Sequence, residues 1–142
     1  MSEKSGRREP RWGIAWILLV GALALHVTDE ALTGFLPLYN SIVSGIREQY
    51  PLFPFPTFTF GVWLGGLCAI VTMLFFLSPL VFAGRSWLRW VSYALSFIMI
   101  LNGLGHITAS LLWGRFAPGV YSSPFLLAAA IHLWISAYRS SA

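Results

Sequence analysis

The side chains best suited to acid–base or metal chemistry are scarce here, with three histidines and five acidic residues in 142, and they are bunched. His26-Val-Thr-Asp29-Glu30 puts an imidazole and two carboxylates within five residues, and Asn102-Gly-Leu-Gly-His106 sets an amide four residues before a second imidazole. On a helix, positions i, i+3 and i+4 project within about a 100° arc, so each cluster forms one face. Two imidazoles, one or two carboxylates and an amide are the ligand set of a hydrolytic Zn site or a 2-His-1-carboxylate Fe(II) site. That chemistry assigns His26, Glu30 and His106 as metal ligands and Asp29 as general base or fourth ligand. Asn102 becomes an oxyanion donor or a hydrogen-bonding support for a ligand. Arg115 is placed to neutralise Asp29 or to orient an anionic substrate group, against the plainer reading of a solvated loop arginine.

The elements that must hold these residues are written in the composition. A chain that is 57% hydrophobic and 16% aromatic but only 10% charged lies outside the range of water-soluble domains. Disorder, a nucleic-acid module and a disulfide scaffold are excluded by the apolar content, the dispersed basic residues and the single Cys68. Four apolar stretches, roughly Trp12–Leu36, Phe58–Leu77, Trp90–Trp113 and Pro124–Tyr138, approach the ~20 residues that cross a hydrocarbon core. The expected fold is an all-α membrane protein, a four-transmembrane-helix bundle forming a single domain over 12–142 behind a disordered, cytoplasmic N-terminus at 1–11. The basic start also resembles a signal peptide with a small-residue site at Ala22-Leu-Ala24. The apolar run continues past that site, however, and its removal would leave an odd number of spans.

Four crossings place both termini on one side. Lys4, Arg7, Arg8, Arg11, Arg85, Arg89 and Arg139 share that side, and only Arg47 and Arg115 fall on the other. The bias makes the termini cytoplasmic and a plasma (inner) membrane the expected location. The net charge of +4 then reflects topology and contact with anionic lipid. In the first outer loop, Asn40–Tyr50 is expected to form a short interfacial helix, and Pro51, Pro54 and Pro56 forbid helix until the second span.

Ionisable groups inside spans require a partner or a purpose. The His26 stripe also carries Ala15, Ala22 and Thr33, and the Asn102 stripe carries Ser92, Ser96 and Ser110, so both should face inward. At about 1.5 Å per residue, His26 and Glu30 lie roughly 21 and 27 Å above Trp12, and Asn102 and His106 roughly 18 and 24 Å above Trp90. The clusters share a level in the outer half of the bilayer. His132 sits only about 9 Å above Tyr138 and is expected outside the group, bonded to Ser136 or a backbone carbonyl. His26 with Glu30 could also be a plain i, i+4 ion pair. The series Gly61, Gly65, Ala69 is expected to mean close helix packing, and Cys68 beside it packing rather than chemistry.

HVTDE at 26–30, NGLGH at 102–106 and Phe116-Ala-Pro118-Gly119 resemble, in order and spacing, the motifs HxxEE, NxxxH and YxPG of the HXXEE family of small integral membrane proteins. The resemblance implies a membrane-embedded enzyme whose reaction is not specified. Two departures stand out: Asp29 replaces the first glutamate and keeps a shorter carboxylate, while Phe116 replaces tyrosine and loses a hydroxyl. Pro118-Gly119 reads as a tight turn that could lid the cluster, with Phe116, Pro118 and Gly119 as substrate-binding residues.

The leading expectation is a metal-dependent hydrolase, using Zn or Fe, of a small amphiphilic substrate or membrane lipid. Nucleic acid is not an expected partner, and a homo-oligomer is allowed. A metal-free isomerase of a sterol-like lipid is the closest rival, since the HxxxE pair of His26 and Glu30 is similar to that of the emopamil-binding sterol isomerases. Haem binding, proton or ion conduction and a purely structural role complete the alternatives.

Overall fold

The computed structural model describes residues 8–141 and, among them, five helices and no strand: α1 (Arg8–Thr33), α2 (Phe35–Gln49), α3 (Phe60–Phe82), α4 (Trp87–Trp113) and α5 (Ser123–Ser141). Three of these, α1 from Pro10, α3 and α4, are long and apolar enough to cross a membrane, and the chain is a membrane protein. α5 does not join them on composition, because its 19 residues include His132, Ser136 and Arg139.

α1 is the central element. It lies between α3 and α5, and α4 packs along α5. Its buried positions Trp12, Ala15, Trp16, Leu19, Leu23, His26 and Glu30 recur at three- and four-residue steps, the period of one helical face. The seam that α3 offers in return is equally regular: Leu64, Leu67, Val71, Leu74, Ser78 and Val81. α5 seats Leu126, Ala130, Leu133 and Ala137, again at steps of three and four. Polar links fix the register of these apolar seams. Trp12 Nε1 donates to Ser92 Oγ at 3.0 Å, and Trp16 Nε1 to the Leu74 carbonyl at 2.9 Å.

Several boundaries differ from expectation. α1 begins at Arg8, so residues 8–11, expected to be disordered, are helical, while residues 1–7 lie outside the described residues. It ends at Thr33 rather than Leu36, because Gly34 adopts φ 82°, a left-handed backbone that a side chain disfavours. The chain turns there straight into α2, five residues ahead of the expected interfacial helix at Asn40. Pro37 falls in the first turn of α2, where an N–H has no intrahelical acceptor to lose.

The Pro-rich connection from α2 to α3 folds back along α2. Asn40 bonds both the N–H and the carbonyl of Phe58 through its amide, Tyr39 donates to the Pro56 carbonyl, and Arg47 donates to the Phe55 carbonyl. These side chains supply the backbone bonds that a proline-interrupted segment cannot make to itself. The small-residue series on α3 does not pack as expected. Gly61, Gly65 and Ala69 are exposed, and nothing lies within 4 Å of a Cβ built on either glycine. The α3 seam runs through Leu67 and Leu74, and the glycines lie on the opposite face.

Candidate metal centre

His26 and Glu30 stand one turn apart near the end of α1, and Asn102 and His106 one turn apart on α4. The segment 114–122 brings Gly119 and Ser122 down between them. His26, Glu30 and His106 are all buried. Glu30 Oε1 lies 3.1 Å from His106 Nε2 and 3.5 Å from His26 Nε2. One ligand atom from each of the three residues falls within 4.8 Å of the other two. The imidazoles meet edge to face with ring centroids 4.9 Å apart, and Phe35 covers the other side of His106 at 5.4 Å. Rings in direct contact leave no space for a haem plane between them.

Hydrogen bonds settle how His26 is held. Asp29 Oδ2 accepts from both the backbone N–H and the hydroxyl of Ser122, each at 2.8 Å. With that hydroxyl hydrogen committed to the carboxylate, Ser122 Oγ accepts from His26 Nδ1–H at 2.8 Å. On the other side of the ring, His26 Nε2 faces the cluster 2.9 Å from Asn102 Oδ1, an oxygen that can only accept, so a proton on Nε2 makes this a hydrogen bond. Imidazole nitrogen, amide oxygen and carboxylate oxygen converge on one small volume. A proton or a metal ion compensates such a gathering of acceptors.

Gly119 closes the cluster from above. A Cβ built there would lie 2.9 Å from His106 Cε1 and 3.0 Å from Glu30 Cγ, and the residue has φ 82°. Its N–H donates to Thr33 Oγ1 at 3.0 Å, and its carbonyl accepts from Ser123 Oγ at 2.7 Å. Ser110 fastens the same segment by accepting from Ala117 N–H at 2.8 Å.

His26, Glu30, Asn102 and His106 therefore come together, and Asp29 joins them through Ser122. Arg115 does not: it is exposed, with its guanidinium over the Trp113 ring, and it does not reach Asp29. Phe116 is exposed as well and rests on Tyr121 with centroids 5.3 Å apart. Pro118 lines a cleft instead. His132 lies in a different cavity with Arg11 and Arg139. Ser122 is the participant that sequence reasoning missed, since a serine in a loop of small and polar residues has no spacing to betray it.

The cleft that includes Pro118 has a volume of about 440 Å³ and runs between α2 and α4. Asn102 and His106 are on its wall, and most of the rest is apolar, including Phe35, Leu38, Ile42 and Leu101. An elongated apolar molecule lying in it would bring one end against the cluster.

Comparison with curated proteins and with solved structures returns no significant match. The sequence from 16 to 135, which contains every residue of the cluster, matches the family described as "Protein of unknown function with HXXEE motif". The chain, which gathers His26, Asp29, Glu30, Asn102 and His106 around one buried centre, belongs to the HXXEE family.

Proposed function

We propose that this protein is a membrane-embedded, metal-dependent hydrolase of a lipid or other amphiphile, with His26, Glu30 and His106 as the metal ligands. The spacing of the three ligand atoms carries this reading. Bonds of about 2.0–2.1 Å in a tetrahedral Zn site separate neighbouring ligand atoms by about 3.3 Å. The two distances to Glu30 Oε1, 3.1 and 3.5 Å, bracket that value. Zn is the favoured ion, and Fe(II) suits the same donors. A bound ion of this kind supplies Lewis acidity and a coordinated water with a pKa near 7.

The protein's own groups complete the site. Asp29, through Ser122, keeps the proton on His26 Nδ1 and aims Nε2 at the centre, as outer partners of metal-ligating histidines do. Asn102 orients the polar end of a substrate whose apolar part lies in the α2–α4 cleft. Gly119 and Pro118 exclude water from above. α5 packs along α1 and α4, and its 19 residues extend about 28 Å, close to the thickness of the hydrocarbon core. This supports a fourth crossing, with both termini cytoplasmic and the metal site in the outer half of a plasma (inner) membrane.

The test is metal analysis of the detergent-purified chain beside His26→Ala, followed by lipid profiling of cells making the wild-type chain or Glu30→Gln. About one equivalent of Zn or Fe is expected in the wild type and none in His26→Ala, with one amphiphile accumulating in the Glu30→Gln cells. Metal-free protein from both sources overturns the assignment. Activity that survives chelation but is lost in Glu30→Gln assigns proton transfer on a sterol-like lipid instead.

A further inference from the structure

A second cavity, of about 530 Å³, lies at the other end of the molecule between the start of α1 and the end of α5. Arg11 and Arg139 line it together with His132, Ser136 and Ser140. Arg11 is 15 residues before His26 on the same helix, so the cavity is about 22 Å along the axis from the metal site. His132, Ser136, Arg139 and Ser140 follow the i, i+4, i+7, i+8 pattern, one face of α5. Among the described side chains neither guanidinium has a salt-bridge partner, and Asp29, Glu30 and Glu48 lie elsewhere. Two cations on one cavity wall repel each other, and an anion between them relieves that repulsion.

We infer that this cavity binds an anionic phospholipid, its phosphate held between Arg11 and Arg139. Guanidinium forks match phosphate oxygens in pairs, and the Ser136 hydroxyl is a further donor. The cavity favours a lipid over a soluble anion because of its depth. From Arg139 back to His132 it follows α5 for about 10 Å, and on α1 it runs from Arg11 to Ile14, inside the apolar span that begins at Pro10. A phosphate at the rim thus leaves the glycerol and the first chain carbons against Ile14.

The experiment is native mass spectrometry of the full chain released from detergent micelles. Phosphatidylglycerol and phosphatidylcholine of identical chains are compared as probes, with inorganic phosphate as competitor. Phosphatidylglycerol should bind about tenfold more tightly than phosphatidylcholine, as expected for contacts with two basic residues. Arg139→Gln and Arg11→Gln should each remove most of that preference. Arg85→Gln, which deletes the same charge from the loop between α3 and α4, should leave it within about twofold, so general attraction to the basic side is separated from this cavity. Equal binding of the two lipids, an unchanged preference in both cavity variants or an equal loss in Arg85→Gln overturns the inference. Displacement of phosphatidylglycerol by millimolar inorganic phosphate assigns the cavity to a soluble anion and overturns it too.

Discussion

Ser122 shows how one hydroxyl organises the cluster. It donates to Asp29 and lies 2.8 Å from His26 Nδ1, so a carboxylate on the rear of the site acts on the imidazole through a single hydroxyl. Ser122→Ala should therefore lower metal affinity by about 10- to 100-fold, the usual effect of removing a group that orients a ligand, while the helical content stays intact. Metal titration with a chromophoric competitor, beside circular dichroism, checks both halves. Asp29→Asn should act in the same direction but more weakly, because an amide oxygen can still accept from the Ser122 N–H and hydroxyl yet lacks the charge that strengthens both bonds. An effect confined to folding in either variant would remove Asp29 from the site. Gly119→Ala tests the roof. The methyl group would press on His106 and Glu30 in a backbone conformation that disfavours it, which should destabilise the protein by about 2 kcal/mol or more. The melting temperature in detergent and the metal content should fall together.

Among the helices, glycine positions separate conformation from packing. Gly34 ends α1 with a positive φ and open space around it, so Gly34→Ala meets no steric obstacle yet should lose about 1–2 kcal/mol from the left-handed backbone alone. Gly65, on the outward face of α3, should accept leucine with a change within about 0.5 kcal/mol, because the side chain enters open surroundings. Thermal unfolding of the two variants in one detergent measures the contrast, and a strong loss in Gly65→Leu would mean that this face is covered in the assembled protein. A glycine repeat in sequence resembles a packing motif whether or not a partner helix is present. The seam actually used, Leu64 to Val81, alternates steps of three and four and is built from branched apolar side chains apart from Ser78.

For the whole molecule, the issue is how strongly apolar helices enclose a centre made of ionisable groups. α1 has α3 on one side and α5 on the other, and with α4 and the segment 114–122 against its outer end His26 and Glu30 are buried while Asp29 is half-buried. α3 presents most of its surface outward and is the most apolar of the helices, as a lipid-facing helix must be. If α5 crosses with the others, the two ends of the chain lie on one side. Reporter fusions at the N-terminus and after Ala142 should then both be active in the cytoplasm, and one in the connection from α2 to α3 should be active outside. Termini on opposite sides would leave α5 as a surface helix.

Membrane character, the two helical faces and their shared depth were all determined by the sequence, because hydrophobic length and the 3.6-residue period are local properties that a chain displays before it folds. The ligand candidates His26, Glu30 and His106 were legible for the same reason, since ionisable groups in apolar segments advertise themselves. Tertiary structure alone decided that Asp29 reaches His26 through Ser122, and that Arg115 and Phe116 stay exposed against Trp113 and Tyr121. It also decided that Gly119 fills the space above Glu30 and His106. Those outcomes depend on how the segment 114–122 is threaded between α1 and α4, a path set by the left-handed turns at Gly114 and Gly119 and by hydrogen bonds to residues some 90 positions away in sequence. No periodicity within the segment encodes partners at that distance.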